Sequence, residues 1–412
     1  MRKPGVEGNL RWRCAAASLA GLLSLAVALV PGAAGAAVST AAPSPALLQA
    51  AVDRVVADGV PGVIAMQREG DGVQHAVAGV RDLRTGSPIL PGDEFRVGSI
   101  TKSFVSTVVL QLVGEGRLNL DDSVERWLPG LLPNGAGITV RELLDHTSGL
   151  FDYVNDGDPT ILIPYFVNRD WDYVWRPLQL VAVATSHPLK FPPGTQWAYS
   201  NTNYVVLGLI VQAVTGHDPV SEIEQRILRP LGLHHTSFPT TDPDIEGPHT
   251  HGYFTNLPPQ SGFPSTFDVT TFSPSWAWTA GAIVSTVDDI ARFHRALIAG
   301  DLLRPAQLQE LETAVPTPDG FDYGLGVLEL QTPCGPAWGH DGDFFGYSSV
   351  ALTSPDGSRQ VVAALNSDRI LSSQTQIDLN SVLLAGFCGV AAPAGAAIPS
   401  RLPVSAIQAP SL

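Results

Sequence analysis

Strand-forming sequence near both ends of the chain, with helical and loop-rich sequence between, constrains the fold more than any other feature. Residues 63–67 and 73–78 are β-rich and flank a polar, glycine-containing turn, which predicts a hairpin. Further strands are predicted at 326–330, 337–342, 348–353 and 360–365, with turns at 342–343 and 355–357. We therefore expect one α/β body built from both ends of the chain.

The middle of the chain has a different character. Between about residues 114 and 265, helical segments such as 140–144 and 204–214 alternate with loops rich in Pro, Gly, Trp and Asp. Other helices are predicted at 47–60, 287–298 and 377–386. The predicted organisation is an α/β body formed by 37–113 and 266–388, interrupted by a mostly helical inserted domain at 114–265.

The two ends of the chain predict export and a tail. Residues 1–36 combine a basic start, an apolar run and the small-residue site Ala34-Gly35-Ala36, a pattern typical of a removed signal peptide. A membrane anchor is the alternative, but the apolar run is short and ends at a Pro-Gly pair. We expect a secreted protein, in the medium or at the cell wall, with no stable membrane anchor. Residues 389–412 are Ala/Pro/Ser-rich and predict a disordered tail.

The charge, the cysteines and the histidines of the chain limit its ligands and cross-links. The net charge of −15 argues against nucleic acid and anionic lipid as ligands. Cys334 and Cys388 are the cysteines that remain after the leader is removed, and in an exported protein they predict a disulfide rather than two free thiols. The histidines are scattered without ligand spacing, so we expect no metal and no other cofactor.

A lysine close to a serine is the first sign of chemistry. The chain has three lysines, and Lys102 stands three residues after Ser99, at the predicted start of a buried helix. An amine one helical turn from a hydroxyl can activate it as a nucleophile. Arginine, which accounts for nearly all the other basic residues of this chain, cannot lose its proton and so cannot do this. Backbone N–H groups are free at such a helix start and favour developing negative charge.

Two further short motifs follow in order. Tyr199-Ser200-Asn201 comes after a Pro-Pro-Gly turn, and His340-Asp341-Gly342 lies on a predicted strand. Each motif alone is commonly a turn or part of a core. Together with Ser99-x-x-Lys102, their order is similar to that of the serine β-lactamase and penicillin-binding-protein family, and most of all to its secreted actinomycete D-alanyl-D-alanine carboxypeptidases. Segments 97–99, 128–133, 138–141, 199–203, 275–277, 323–326, 339–340 and 387–389 carry the same resemblance.

The resemblance implies a fold and a mechanism. The fold is an antiparallel sheet flanked by helices plus a mostly helical domain, with the site in the cleft between them. Ser99 would be acylated by a D-Ala-D-Ala-like peptide or a β-lactam, Lys102 would accept its proton, and the N–H groups of Ser99 and Asp343 would form the oxyanion hole.

The remaining roles involve substrate contacts. Tyr199 would pass a proton to the leaving group, Asn201 would hold the acyl-side amide, and His340 would line the opposite wall and polarise Tyr199. Trp276 is expected either as an aromatic wall of the pocket or as a core residue, and Asp341 and Gly342 lie beside the substrate.

The chain departs from those carboxypeptidases at the third motif. Asp341 and Asp343 stand where the relatives have threonines, and Leu328-Glu329-Leu330 replaces a strand that carries a carboxylate-binding arginine. A carboxylate at 341 would repel a substrate carboxylate. Either the substrate is neutral or positive on that side, or another arginine, such as Arg141 or Arg226, binds its carboxylate.

The sequence therefore predicts a secreted serine hydrolase that acts on a small peptide, amide or ester. Carboxypeptidase-like peptidase action is the first hypothesis, and an esterase, amidase or D-aminopeptidase of the same family is the second. A non-catalytic relative that binds cell-wall peptides is the alternative of another class. An α/β-hydrolase is disfavoured because the Gly-x-Ser-x-Gly pattern is missing.

Overall fold

A computed structural model describes residues 45–255, 263–367 and 373–391. The predicted leader, 1–36, and most of the predicted tail lie outside the described residues. The helices of the described part are α1 Pro45–Ala57, α2 Thr101–Gly114, α3 Val124–Trp127, α4 Val140–Leu144, α5 Pro177–Thr185, α6 Asn201–Thr215, α7 Pro219–Ile223, α8 Arg229–Leu231, α9 Val287–Ile298, α10 Pro305–Leu311 and α11 Ser373–Cys388. None of the helices in these three ranges is both long enough and apolar enough to cross a membrane.

An antiparallel sheet organises the fold. The strands are β1 Gly62–Glu69, β2 Gly72–Asp82, β3 Ser87–Pro88, β4 Phe95–Arg96, β5 Tyr253–Phe254, β6 Phe267–Asp268, β7 Val284–Ser285, β8 Val315–Pro316, β9 Asp322–Tyr323, β10 Leu328–Thr332, β11 Gly335–Phe344, β12 Tyr347–Thr353 and β13 Arg359–Leu365. The main sheet has nine strands in the order β3-β2-β1-β13-β12-β11-β10-β9-β8. β1 pairs antiparallel with β13, which joins the two ends of the chain in one sheet. The predicted antiparallel sheet flanked by helices is confirmed.

Both faces of the sheet are covered, because alternate residues of its central strands enter different cores. On β1, Val63 and Ala65 pack in the core that holds α1 and α11. Ile64 and Met66 point the other way, into the larger core that contains α2, α6 and α9. This period-two alternation explains why β1 is apolar almost throughout, unlike a strand that faces water on one side.

The strand predictions are confirmed to within a few residues, but the predicted turn at 342–343 is wrong. β11 continues through Gly342 and Asp343, and Phe344 pairs with Tyr347 on β12. The connection between the strands is Phe345-Gly346, and Gly346 has φ +80°. Gly342 is in the strand because the backbone of another segment packs directly against it.

Helices α3 to α8 and the irregular segments between them occupy the region between α2 and β5. The division of the chain at those residues stays a prediction. A disulfide joins Cys334, at the β10–β11 turn, to Cys388 at the end of α11. The predicted pairing of these cysteines is therefore present in the structure.

Candidate active site

Ser99 and Lys102 lie at the junction of a short 3₁₀ turn, Gly98–Ile100, and helix α2. Ser99 is partly exposed, whereas Lys102 is completely buried. The Nζ atom of Lys102 is 2.9 Å from Ser99 Oγ. The helical spacing thus places an amine in hydrogen-bond contact with a hydroxyl that a substrate can reach.

The other neighbours of the amine come from distant parts of the chain. Lys102 Nζ donates to Asn201 Oδ1 at 2.8 Å and to the carbonyl oxygen of Ala280 at 2.6 Å. Burial lowers the pKa of Lys102 to about 7, although the charges of Asp152 and Asp341 act in the opposite direction. A substantial fraction of this lysine is therefore a neutral amine near pH 7.

The geometry directs the lone pair of that neutral amine. Carbonyl oxygens only accept hydrogen bonds, so Asn201 Oδ1 and the Ala280 carbonyl engage both N–H groups of an uncharged Lys102. The remaining tetrahedral position on Nζ faces Ser99 Oγ. The arrangement is suited to removing the proton of the serine hydroxyl.

Tyr199 lies over the same amine, with its ring centre 4.8 Å from Lys102 Nζ. Its hydroxyl is shielded from solvent, and the Ser99 side chain is the hydrogen-bonding group that acts on it. Burial raises the pKa of Tyr199 well above its ordinary value, and the Ser99 side chain opposes this only in part. Tyr199 is therefore a neutral phenol, able to donate a proton.

Strand β11 packs its backbone against the turn that carries Ser99. A Cβ atom on Gly342 would lie 2.0 Å from the carbonyl oxygen of Val97 and 2.9 Å from the Ser99 nitrogen. Gly98 has φ +56°, and a Cβ atom there would lie 2.5 Å from the carbonyl oxygen of Asp343. Only glycines permit this approach, which sets the Ser99 and Asp343 backbones side by side.

His340 is buried on β11 but bonds to a residue that the sequence analysis did not single out. Its Nε2 atom is 2.8 Å from Tyr323 Oη, and its Nδ1 atom is 2.5 Å from the carbonyl oxygen of Asp341. Because that carbonyl only accepts, Nδ1 carries the proton and Nε2 accepts from Tyr323. Burial lowers the pKa of His340 to about 3, so the ring is neutral. Tyr199 is not among the hydrogen-bond partners of His340 in the described part of the chain, and the predicted effect of His340 on Tyr199 stays a prediction.

Asp341 is almost fully buried beside this site, with 6% of its surface exposed. Burial raises its pKa to about 7, although the charge of Lys102 acts against the shift. The nearest histidine nitrogen is His340 Nδ1, 3.5 Å from Asp341 Oδ1, but this ring is neutral and supplies no positive charge. Among the described residues, no side chain donates a hydrogen bond to this carboxylate.

A narrow cleft opens at Ser99. It is lined by Ser99, Val154, Asn155, Asn201, Trp276, Ala277, Ala280, Gly281 and Asp343. Trp276 is 4% exposed, and its ring packs 5.0 Å from Phe344 and 4.5 Å from Phe345. Trp276 thus lines the cleft and also belongs to an aromatic core, so the two expectations for this residue are compatible.

The arginines considered as carboxylate ligands are engaged elsewhere. Arg141 Nη1 pairs with Glu310 at 2.8 Å. Arg226 pairs with Glu115 at 2.5 Å and with Glu222 at 2.6 Å. Neither arginine is among the residues that line the cleft at Ser99.

Two site residues were missed in the sequence. His146 has φ +65°, and its Nδ1 atom accepts from the Ser200 N–H at 3.2 Å, which holds the Tyr199-Ser200-Asn201 motif. The carboxylate of Asp152 accepts from Asn201 Nδ2 at 3.2 and 3.1 Å. Both residues follow α4 in a loop, and a single histidine or aspartate in a loop has no periodicity that would have identified it.

Comparisons with known proteins identify the family of the chain. The family model described as Beta-lactamase matches residues 48–380. A solved D-stereospecific amidohydrolase from Streptomyces sp. is 39% identical, with a TM-score of 0.76, over 85% of this chain and all (100%) of that one. Penicillin-binding protein 4* of Bacillus subtilis (strain 168) is 26% identical over 74% of this chain and 68% of its own length.

A third relative extends the range of reactions. Esterase EstB of Burkholderia gladioli is 29% identical over 72% of this chain and 76% of its own length. The relatives thus include an amidohydrolase, a penicillin-binding protein and an esterase. The fold, the match of the family model and these relatives show that the chain is a serine hydrolase that belongs to the β-lactamase family.

Proposed function

We propose that this protein hydrolyses amides of D-amino acids, or short peptides that begin with one, through an acyl-Ser99 intermediate. The observation that carries the proposal is the buried Asp341 carboxylate, two residues before the cleft residue Asp343 on β11 and close enough for its charge to act on Lys102. A carboxylate in this position favours a substrate with an ammonium group. The name of the D-stereospecific amidohydrolase, at 39% identity, supports the same substrate class.

The first half of the reaction follows from the geometry. Neutral Lys102 accepts the proton of Ser99 Oγ while that oxygen bonds to the substrate carbonyl carbon. The carbonyl oxygen becomes an oxyanion between the N–H groups of Ser99 and Asp343. Removing one such donor typically costs about 3 kcal/mol of transition-state stabilisation.

The second half releases the amine and then the acid. The Tyr199 phenol donates its proton to the leaving nitrogen, the carbon–nitrogen bond breaks, and Lys102 returns the serine proton to the tyrosine. Water then attacks the acyl-serine and gives the free acid. In this scheme Asn201 and Trp276 bind the acyl group, and His340 acts indirectly by holding Tyr323.

Carboxypeptidase action, our first hypothesis from the sequence, becomes the second candidate. With a pKa of about 7, Asp341 is partly protonated and can then donate a hydrogen bond to a substrate carboxylate. That form predominates below pH 7, where Lys102 is charged and cannot act as a base. The two requirements oppose each other, so we place amide hydrolysis first.

A substrate panel with Asp341→Asn tests the proposal. For D-amino acid amides we expect kcat/KM to fall about 10- to 100-fold, mainly through KM, because a buried charge partner of the ammonium group is lost. When the substrate amine is acetylated, wild type and Asp341→Asn should have the same kcat/KM. Acylation by p-nitrophenyl acetate, which has no ammonium group, should change less than about threefold by the same reasoning.

The exposed Asp322 on β9 provides the matched control, and Asp322→Asn should leave both rates unchanged. Cleavage of acylated D-Ala-D-Ala peptides, with no action on D-amino acid amides, would transfer the assignment to the carboxypeptidase. A β-lactam is expected to acylate Ser99 under either assignment.

We also propose that the protein is exported. The Cys334–Cys388 disulfide supports this, because such bonds form and persist in oxidising compartments. When the full chain is expressed in a bacterial host, the processed protein should be recovered outside the cytoplasm with Ala37 as its first residue. N-terminal sequencing checks this, and an intact N-terminus in the cytoplasmic fraction would contradict it.

A further inference from the structure

The Lys102 lone pair faces Ser99 only while the side-chain oxygen of Asn201 faces Lys102. An amide can rotate by half a turn at little steric cost, and it would then present its NH₂ group to the amine. In that orientation the Nζ lone pair would accept a hydrogen bond from the Asn201 NH₂ group, and an N–H of Lys102 would point at the serine. Something must therefore hold the amide in the productive orientation.

Asp152 is placed to do this. Its two carboxylate oxygens lie 3.2 and 3.1 Å from Asn201 Nδ2, on the side of the amide away from Lys102. The Val154 N–H also donates to this carboxylate at 2.9 Å, as does Asn155 Nδ2 at 2.8 Å. Each of these contacts comes from an N–H donor, so the carboxylate acts as an acceptor throughout.

The loop that carries Asp152 is itself anchored at the site. The carbonyl oxygen of Phe151 accepts from Thr202 Oγ1 at 2.6 Å, next to Asn201 at the start of α6. On the other side, Tyr153 Oη donates to the carbonyl oxygen of Trp276 at 2.7 Å. Asp152 is buried, with 1% of its surface exposed, so its position is set by these contacts rather than by solvent.

We propose that Asp152 is a positioning residue for the hydrolysis: it fixes the amide of Asn201 so that neutral Lys102 directs its lone pair at Ser99. The proposal rests on the serine-hydrolase mechanism above, but not on which amide or ester is the natural substrate. Asp152 contacts neither Ser99 nor the cleft, and it acts through Asn201.

The charge of Asp152 gives the proposal a second signature. The titratable groups that act on Lys102 or respond to its charge are Asp152, Asp341, His146 and His340. The rings of Tyr199 and Tyr204 also face the amine. Because the Asp152 charge raises the pKa of Lys102, removing it should move the acid limb of the rate profile to lower pH.

The test follows acylation of Ser99 by p-nitrophenyl acetate in single turnovers, with the adduct located by intact mass and peptide mapping. In Asp152→Asn we expect the acylation rate on the high-pH plateau to fall at least about 30-fold, which is within the range for the loss of a correctly directed general base. The acid limb of the pH–rate profile should lie at lower pH than in wild type. Asp158→Asn is the matched control, since Asp158 lies in the same loop and pairs with His187 at 2.7 Å. Its rate should stay within about twofold of wild type, because this partly exposed pair lies apart from the residues that line the cleft.

A double-mutant cycle isolates the orientation of the amide. In Asn201→Asp both side-chain oxygens accept hydrogen bonds, so there is no orientation left to fix. In that background, adding Asp152→Asn should cost less than about fivefold, because the coupling between the two sites is gone. The double variant keeps one amide and one carboxylate in contact, so it stays informative where Asp152→Asn alone does not fold: a loss of more than about fivefold relative to Asn201→Asp would contradict the inference.

Other outcomes overturn the inference. A plateau rate in Asp152→Asn within about threefold of wild type would contradict it, as would an equal cost in both backgrounds. A loss of melting temperature with an unmoved acid limb would indicate a structural role alone. If wild type is not acylated at Ser99 at all, the proposed function fails first and this inference fails with it.

Discussion

At the scale of single residues, the proposed mechanism depends on a buried amine that has no ion-pair partner within 4 Å among the described residues. Lys102 is fully buried, and its direct contacts are a hydroxyl, an amide oxygen and a backbone carbonyl. Desolvation disfavours the charged form, and uncharged acceptors offset it only in part. The result is a buried amine with a pKa of about 7, which suits the role of base that we propose for it.

Tyr199→Phe should separate the two kinds of substrate. An amide nitrogen must be protonated as it leaves, whereas p-nitrophenolate leaves without a proton. We expect hydrolysis of a D-amino acid amide to fall about 100-fold or more, which is typical of a lost general acid. Ser99 acylation by p-nitrophenyl acetate should fall less than about tenfold for the same reason. Stopped-flow and steady-state rates on the two substrates provide the measurement, and equal losses on both would contradict a proton-donor role.

At the scale of single residues, only part of this site is predictable from the sequence. The three-residue spacing of Ser99 and Lys102 predicted their contact, because a helical turn fixes it locally. The Ala280 carbonyl and the Asp152 carboxylate come from loops distant in sequence. No local pattern marks a carbonyl as the acceptor of a buried amine, so those contacts required the folded structure.

At the scale of elements, the site depends on strand β11 packing against the turn at Gly98–Ile100. The sequence predicts a turn at Gly342-Asp343 because Gly and Asp are common in turns. In the structure this glycine has another purpose: it leaves room for the Val97 carbonyl and the Ser99 nitrogen. A local propensity was overridden by a contact between segments far apart in the chain.

Gly342→Ala tests this packing. The added methyl group would lie 2.0 Å from the Val97 carbonyl oxygen, so strand and turn must separate. We expect kcat to fall about 100-fold or more as the oxyanion donors move apart, with a smaller effect on KM. Gly92→Ala is the control, because a Cβ atom at Gly92 meets nothing within 4 Å. Steady-state kinetics on both variants check this, and an unchanged kcat in Gly342→Ala would exclude the proposed oxyanion hole.

At the scale of the whole molecule, strands from both ends of the chain pair in one sheet, and a disulfide links the last helix to the β10–β11 turn. The strand-rich ends predicted one α/β body, and the exported character predicted the Cys334–Cys388 pairing. The neighbour relation of β1 and β13 was not predictable from one sequence, because pairing between strands so far apart leaves no periodic signal. The order of the strands is likewise a property of the assembled fold.

Removing the disulfide should destabilise the fold without altering the chemistry. The bond closes a loop with a sequence separation of 54 residues. In the chain-entropy model, a loop of that length corresponds to about 4 kcal/mol of unfolding free energy. Guanidinium unfolding of Cys334→Ser/Cys388→Ser against wild type measures it. An unfolding free energy that differs by less than about 1 kcal/mol would show that the cross-link contributes little to stability.

The most direct test of the central claim is the rate of Ser99 acylation as a function of pH. The account predicts a rate that rises with pH and reaches half its maximum near pH 7, because Lys102 acts only after its ammonium form loses a proton. Lys102→Arg, which stays charged, should lose at least about 1000-fold, and Ser99→Ala should take up no acyl group. A flat profile from pH 5 to 9, or wild-type acylation in Lys102→Arg, would contradict a neutral lysine base.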